Sequence, residues 1–351
     1  MASFSHSLCI PSSSSAVSSM SALRKSFLPA AGNCPSPNFK SHSFSFPQTL
    51  NLNPKSLIPP PPCSAAVAAA ASSNSLKSRL QNGETLYGIF LLSFSPTIAE
   101  ISGFAGYDFA VVDMEHGHGG ISDALPCLRA LAATNTAAIL RLPESSAAWA
   151  KKALDIGPQG IMFPMIDSPK SARKAVSYCR YPPAGVRGAA HPIVRASNYG
   201  INEGYLTSYE EELLIMCQVE SEEAVEKIDE ISAVDGVDCV QMGPLDLSGS
   251  MGYLWDPGHK KVKEVLRKAE KAVLKGGRAY LSGFAMPHDA PPEMRRRGYH
   301  MVAGATDMGL YRSAVVEDVK KFKMSSVDDE DDDEEAVKGI GKVAEEKYWS
   351  E

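Results

Sequence analysis

The chain has no Asp or Glu before Glu84. That opening stretch is rich in Ser, Ala and Pro, and carries scattered positive charges at Arg24, Lys25, Lys40 and Lys55. A hydroxylated, weakly basic, acid-free segment reads as an organelle transit peptide over residues 1–75. Abundant Ser and scarce Arg favour a plastid (chloroplast) over a mitochondrion. A secretory signal is excluded because one compact apolar core near the start is missing. No run of the chain approaches the apolar length that spans a bilayer, so no membrane role is expected. The formal net charge of -6 argues against general nucleic-acid binding.

Cysteine is sparse and scattered. Cys9, Cys34 and Cys63 fall in the transit segment, and Cys127, Cys179, Cys217 and Cys239 form no C-x-x-C. Neither a disulfide framework nor a cysteine zinc site is expected, and Cys217 and Cys239, inside strand-like runs, read as core thiols. No G-x-S-x-G, P-loop or dinucleotide-binding glycine pattern occurs in its required context. No strand-like run ends in Lys; Lys151, Lys152 and Lys170 fall on helical patterns. A Schiff-base enzyme needs a desolvated lysine at the reacting centre, so imine chemistry is disfavoured.

What is present is a set of short apolar runs that end in polar residues. Phe109 to Val112 leads into Asp113-Met114-Glu115-His116, and Ala137 to Leu140 ends in Arg141. Leu213 to Cys217 leads into Gln218-Val219-Glu220, and Val237 to Gln241 into Gly243-Pro244-Leu245-Asp246. Such runs suit strands buried on both faces. Each is followed by a loop and a helical pattern, the signature of a parallel α/β sheet. Eight strands are expected: 87–92, 109–113, 137–141, 160–164, 213–219, 237–242, 279–283 and 300–303. The intervening helices are expected at 96–104, 121–133, 146–155, 167–178, 221–232, 260–275, 293–297 and 308–322. The fold class is therefore α/β, a (β/α)8 TIM barrel over residues 76–324, about the usual length for one. A long insertion, 181–210, precedes the fifth strand, and a loop of that length is usually functional. Residues 325–351 hold an acidic run, Asp328 to Glu335, and read as a solvated tail.

In a barrel of this kind the strand ends converge on one mouth, where active sites are built. Glu220 and Asp246, at neighbouring strand ends, read together as ligands of a hard divalent cation such as Mg²⁺, Mn²⁺ or Co²⁺. Taken singly, Glu220 also reads as a first-turn acid and Asp246 as a turn residue. Arg141 closes an apolar strand and needs an anionic partner, which a substrate carboxylate or enolate supplies; the other reading is a structural salt bridge. His116 follows Asp113 closely, and a carboxylate beside a histidine fixes its tautomer and raises its basicity for general-base work.

These segments resemble the HpcH/HpaI aldolase family, the metal-dependent pyruvate aldolases. The likeness spans roughly Glu84 to Phe322 and rests on Asp113-Met114-Glu115-His116, Arg141-Leu142-Pro143, Tyr181-Pro182-Pro183-Ala184-Gly185-Val186-Arg187-Gly188, Gln218-Val219-Glu220 and Gly243-Pro244-Leu245-Asp246. It implies a barrel of the phosphoenolpyruvate/pyruvate-binding type. It implies a divalent metal held by Glu220 and Asp246 and chelated by pyruvate. It also implies Arg141 at the enolate oxygen, His116 paired with Asp113 for proton transfer, and Gln218 beside pyruvate. With Arg141 and Gln218, the Gly243-Pro244-Leu245 run is expected to line the substrate site. A homo-oligomer is implied, a hexamer whose eighth helix packs on a neighbouring subunit. The expected reaction is reversible cleavage of a 4-hydroxy-2-oxo acid to pyruvate and an aldehyde. Gly117-His118-Gly119, Pro158 and Ala303 to Asp307 depart from the bacterial pattern and leave the aldehyde half open. The competitors are an acyl-CoA lyase of the citryl or malyl type, with Arg295-Arg296-Arg297 as a basic CoA surface, and a catalytically silent scaffold barrel.

Overall fold

The computed structural model describes residues 75–325. Residues 1–74, which hold nearly all of the expected transit peptide, and the acidic tail lie outside them. Eight parallel strands close into a barrel in sequence order. They are β1 (Leu86–Leu91), β2 (Phe109–Asp113), β3 (Ala137–Arg141), β4 (Gly160–Phe163), β5 (Leu214–Val219), β6 (Cys239–Met242), β7 (Tyr280–Phe284) and β8 (Met301–Thr306). The helices are α1 (Leu76–Gln81), α2 (Pro96–Phe104), α3 (Ile121–Ala133), α4 (Ala147–Asp155), α5 (Pro169–Cys179), α6 (Tyr205–Glu212), α7 (Glu222–Glu226), α8 (Ile228–Ser232), α9 (Pro244–Ser250), α10 (Lys260–Gly276), α11 (Pro291–Arg296) and α12 (Asp307–Ser325).

The strands form because their residues are buried on both faces. Alternate residues build two separate apolar clusters. Phe109, Val111, Ile139, Met162, Met216, Cys239 and Met301 fill the barrel interior. Ala110, Val112, Leu140, Ile161, Cys217, Val219, Val240 and Leu281 pack outward with helix residues such as Leu128, Ala153, Val176 and Val273. Leu76 and Leu80 of α1 join the interior cluster, so this helix closes the barrel's lower end. Helix starts are set by side-chain caps. Ser95 accepts from the Ile98 N–H ahead of Pro96, Ser146 from Trp149 and Ser168 from Ser171, each satisfying a donor the helix leaves open. The α10 helix ends at Gly277, whose φ of 61° suits a residue without a Cβ.

Three differences from the sequence reading have physical causes. The fifth helix is broken at Lys227 into α7 and α8. The run after Gly243, read as a turn, is the helix α9, because Pro244 occupies its first turn. The insertion contains a 3-10 turn at Arg195–Ser197 and the helix α6. It is pinned by Arg187, which is buried against the rings of Tyr181, Tyr205 and Tyr209 and lies 3.6 Å from Asp155.

Gly88 of β1 pairs with Phe109 of β2, and a Cβ at position 88 would fall 2.4 Å from the Phe109 ring. Gly88→Ala is therefore expected to destabilise the barrel by about 1–3 kcal/mol, the usual cost of overpacking a core. In a Phe109→Leu background the same substitution should cost less, so the two changes add sub-additively. Chemical denaturation of the four variants checks this, and strictly additive losses would contradict the packing.

Candidate active site at the barrel mouth

The residues singled out from sequence meet at the carboxyl ends of β2, β3, β5 and β6. Strand register does this. Asp113 pairs with Arg141 across β2 and β3, and Gln218 pairs with Gln241 across β5 and β6. Residues two apart on a strand share a face, so Phe109, Val111 and Asp113 point inward together, as do Ala137, Ile139 and Arg141.

A buried fork anchors the site. Arg141 donates from Nε to Asp113 Oδ1 at 2.8 Å and from Nη2 to Asp113 Oδ2 at 2.5 Å. Asp113 is fully buried and Arg141 is 7% exposed. A buried guanidinium is tolerable when a carboxylate meets it in this bidentate geometry. Burial works against the Arg141 charge. The Asp113 hydrogen bonds and the fields of Asp113, Glu115 and Glu220 outweigh it, and its proton is held more tightly than usual.

From the fork a chain of contacts runs across the mouth. Arg141 Nη1 donates to Gln218 Oε1 at 3.4 Å. Gln218 Nε2 donates to Glu220 Oε2 at 2.5 Å, and Glu220 Oε1 accepts from the Met165 N–H at 2.7 Å. Met165, just past β4, holds a left-handed φ of 52°, uncommon outside glycine and frequent at functional sites. Gly243 is required where it stands, because a Cβ there would fall 2.5 Å from Glu220 Oε2 and 3.1 Å from Gln218 Nε2. Behind it Pro244 is buried, while Leu245 and Asp246 are exposed in the first turn of α9.

The pairing of Asp113 with the His116 ring is corrected by this geometry. Both Asp113 oxygens are taken by Arg141, and Oδ1 also accepts the backbone N–H groups of Glu115 and His116. That tight turn directs the His116 ring outward, where its Nε2 lies 4.0 Å from Glu115 Oε2. Glu115, absent from the sequence-derived set, belongs to the site. Its Oε2 sits 2.9 Å from Arg141 Nη1, buried and without an aligned hydrogen bond. Its place in the Asp113-to-His116 segment was the one available signal. Gly117 and Gly119 let the next loop lie against Phe94; a Cβ on either would fall 2.5 Å from that ring. His118 packs edge-on against Phe94, turned to the β1 loop.

The electrostatics leave negative charge uncompensated. Burial pushes the Glu220 carboxyl up to about 7; the Met165 N–H opposes this, and Glu115 and Asp246 add to it. Burial also raises Glu115, with Arg141 opposing and Asp113 and Asp246 adding. Among the described residues no group of three or more His, Cys, Asp or Glu stands at metal-holding spacing. Glu220 and Asp246 still fit a hard cation that takes one or two protein carboxylates and keeps other positions for substrate and water. The raised proton affinity of Glu220 is what a cation there would relieve. Of the Arg295-Arg296-Arg297 run considered for CoA, Arg295 and Arg296 are exposed and Arg297 is not free. Arg297 is bound by Glu270 and Asp289, and Arg296 pairs with Glu293.

Arg141→Met is expected to leave the buried Asp113 carboxylate without a cationic partner and cost about 3–5 kcal/mol of stability. Adding Asp113→Leu should recover most of that loss, because the uncompensated charge is gone. Urea denaturation at neutral pH checks both, and a mild loss in the single variant would show that the fork is not desolvated.

The chain matches the HpcH/HpaI aldolase/citrate lyase family over residues 86–314. It is 36% identical over 251 residues to the 2-keto-3-deoxy-L-rhamnonate aldolase of Escherichia coli K12, a match covering 71% of this chain and 93% of that protein. The crystal structure of an HpcH/HpaI aldolase/citrate lyase family protein from Burkholderia cenocepacia J2315 superposes with a TM-score of 0.67 at 34% identity, covering 71% of this chain and 99% of that one. An HpcH/HpaI aldolase from Desulfitobacterium hafniense DCB-2 gives 0.64 at 29% identity, covering 71% and 96%. With its closed eight-stranded barrel and this mouth, the chain belongs to the HpcH/HpaI aldolase/citrate lyase family of carbon–carbon lyases.

Proposed function

We propose that this chain is a divalent-cation-dependent aldolase that reversibly cleaves a 4-hydroxy-2-oxo acid, of the 2-keto-3-deoxy sugar acid type, to pyruvate and an aldehyde. The observation that carries the reading is the buried Asp113–Arg141 fork, set beside the raised Glu220 carboxyl and the exposed Asp246. In the cleavage direction the C3–C4 bond breaks. The 4-hydroxyl proton leaves to a base, C4 becomes the aldehyde carbon, and the bonding pair passes to the pyruvate half as an enolate, which takes a proton at C3 to become pyruvate and so balances the one given up.

His116 is the base. Its ring is exposed at the mouth, with Nε2 4.0 Å from Glu115 Oε2. Arg141 meets the negative charge that develops on the enolate oxygen. Asp113 fixes its edge in advance, so little reorganisation is needed as charge forms. Gln218 holds Arg141 and Glu220 at a fixed spacing, and Gly243, Pro244 and Leu245 form the adjoining wall. Glu220 and Asp246 would hold the cation, Mg²⁺, Mn²⁺ or Co²⁺. When bound, it supplies Lewis acidity toward the oxo-acid end of the substrate. In reverse, the same groups activate pyruvate and return the proton to the new hydroxyl.

The decisive experiment is a screen of 4-hydroxy-2-oxo acids with pyruvate release as readout. Activity should vanish with EDTA and return with any of these three cations. Glu220→Gln and Asp246→Asn should abolish cation binding in calorimetry while the barrel stays folded. His116→Ala should lower kcat by about 10²-fold and leave pyruvate inhibition intact, as expected for loss of a general base. Below pH 7 Glu220 holds a proton that a cation must displace, so affinity should fall by up to about tenfold per pH unit as pH drops. Wild-type affinity in both carboxylate variants, or flat affinity between about pH 5.5 and 7, would overturn the cation assignment.

A homo-oligomer completes the reading, a hexamer by resemblance. Every residue from Tyr311 to Met324 of α12 is exposed, including Tyr311, Val315, Val316 and Val319. A helix that shows apolar residues to solvent along its length is suited to packing on a second copy of the chain. Deleting the chain after Asp307 should reduce the sedimenting species to monomers or dimers. An unchanged sedimentation coefficient after correction for mass would exclude this helix from the interface.

The acid-free N-terminal segment supports delivery to a chloroplast, with a mitochondrion as the alternative. Residues 1–75 fused to a fluorescent protein should direct it to plastids; a diffuse cytosolic signal would refute import.

A further inference from the structure

The Asp113 fork holds one edge of the Arg141 guanidinium, and at its other end Nη1 donates to Gln218 Oε1 and lies 2.9 Å from Glu115 Oε2. These partners hold the edges of the plane and leave its faces to other contacts. One face is supported by a ring. The Arg141 Cζ lies 5.0 Å over the ring of Phe90, a residue of β1 that is 4% exposed. That ring in turn takes the edge of Phe284, at the end of β7, with centroids 5.4 Å apart and planes at 83°. The strand between them, β8, presents Ala303 in the interior, and its methyl leaves space for the two rings to meet.

Phe284 is itself braced from outside the barrel. The preceding Gly283 lies so close to Tyr299 that a Cβ would fall 2.6 Å from its ring. The Tyr299 hydroxyl donates to Glu270 at 2.8 Å, and Glu270 is tied to Arg297, which also binds Asp289. An anchored outer network thus packs closely against β7, and Phe284 stands at the end of that strand against Phe90.

We propose that Phe284 is a positioning residue for the reaction: through Phe90 it supports the face of Arg141 that its hydrogen-bond partners leave open, and so steadies the direction in which the guanidinium meets the oxyanion. This rests on the reading of Arg141 given above. Phe284 need not touch substrate. Its effect falls on the transition state, where small misplacements of a charge-stabilising group are costly.

The test is a double-mutant cycle on the cation-loaded, full-length enzyme, with pyruvate release as readout. Phe284→Ala should lower kcat about tenfold, change KM less than about threefold and leave Mn²⁺ affinity unchanged. Phe284→Tyr should restore the rate. If Phe284→Ala does not fold, Phe284→Leu keeps most of the volume without the ring edge and should lower kcat about threefold. In an Arg141→Lys background, which has no planar face to support, either substitution should cost less than about twofold. A full tenfold loss on top of that background, or a wild-type kcat in folded Phe284→Ala, overturns the positioning role and leaves the aldolase reading standing. Wild-type activity in Arg141→Lys alone would overturn the role of Arg141 itself.

Discussion

The bidentate contact between Asp113 and Arg141 is the constraint on which the mouth depends. Two charges at the end of an apolar barrel are tolerable only when each satisfies the other. That requirement links β2 and β3 in register and fixes which way both side chains point. Gln218 then has one place to accept from Arg141, and from there one place to reach Glu220. The wrapping of the Glu115 and His116 backbone around Asp113 Oδ1 follows from the same carboxylate. It turns the imidazole away from Asp113 and toward the open side.

The mouth has two unlike halves. Over β2, β3, β5 and β6 it is polar, with Asp113, Arg141, Gln218 and Glu220 joined by hydrogen bonds. Over β7 and β1 it is aromatic, with Phe284 against Phe90. Arg141 lies on the seam, bonded to Asp113 and Gln218 and placed over the Phe90 ring. Its planar fork offers several in-plane donors and a face at once, where an ammonium is a point charge. The mouth is also tied across its closure, where Asp307 at the start of α12 accepts the N–H groups of Leu92 and Ser93 beyond β1.

The fold was legible because each element carried a local signal that agreed with its tertiary setting. β2, β3, α2 and α3 fall where the apolar runs and the Ser95-Pro96 start place them. Other strand ends shift by one to three residues, as fraying termini do. The helix α9 was missed because Gly243-Pro244 signals both a turn and a helix start, and only the packing against Glu220 decides between them. The partner of His116 was misread because closeness in sequence says nothing of side-chain direction when a turn follows a strand. Met165 carried no signal at all: its contribution is a backbone N–H, set by a conformation its side chain does not announce. Phe90 and Phe284 read as core, and they are core, but their second role depends on what lies above them.

Charge ties the polar half to the kind of molecule it would take. Asp113 and Arg141 offset each other, and Glu115, Glu220 and Asp246 remain. Burial raises the proton affinity of Glu220 and of Glu115; Glu115 and Asp246 add to the first and Asp246 to the second, so their fields overlap at one place. An oxo acid is itself an anion, and entering this region without help would set like charge against like in a poorly solvated space. A divalent cation held by Glu220 and Asp246 would offset most of that charge. The carboxylates that repel an anionic substrate would then serve to hold the ion that draws it in. A purely structural pair of carboxylates at neighbouring strand ends has no reason to be arranged with a third acid, a buried arginine and an exposed histidine facing the same opening, and it is this convergence that separates the enzymatic reading from that of a silent barrel.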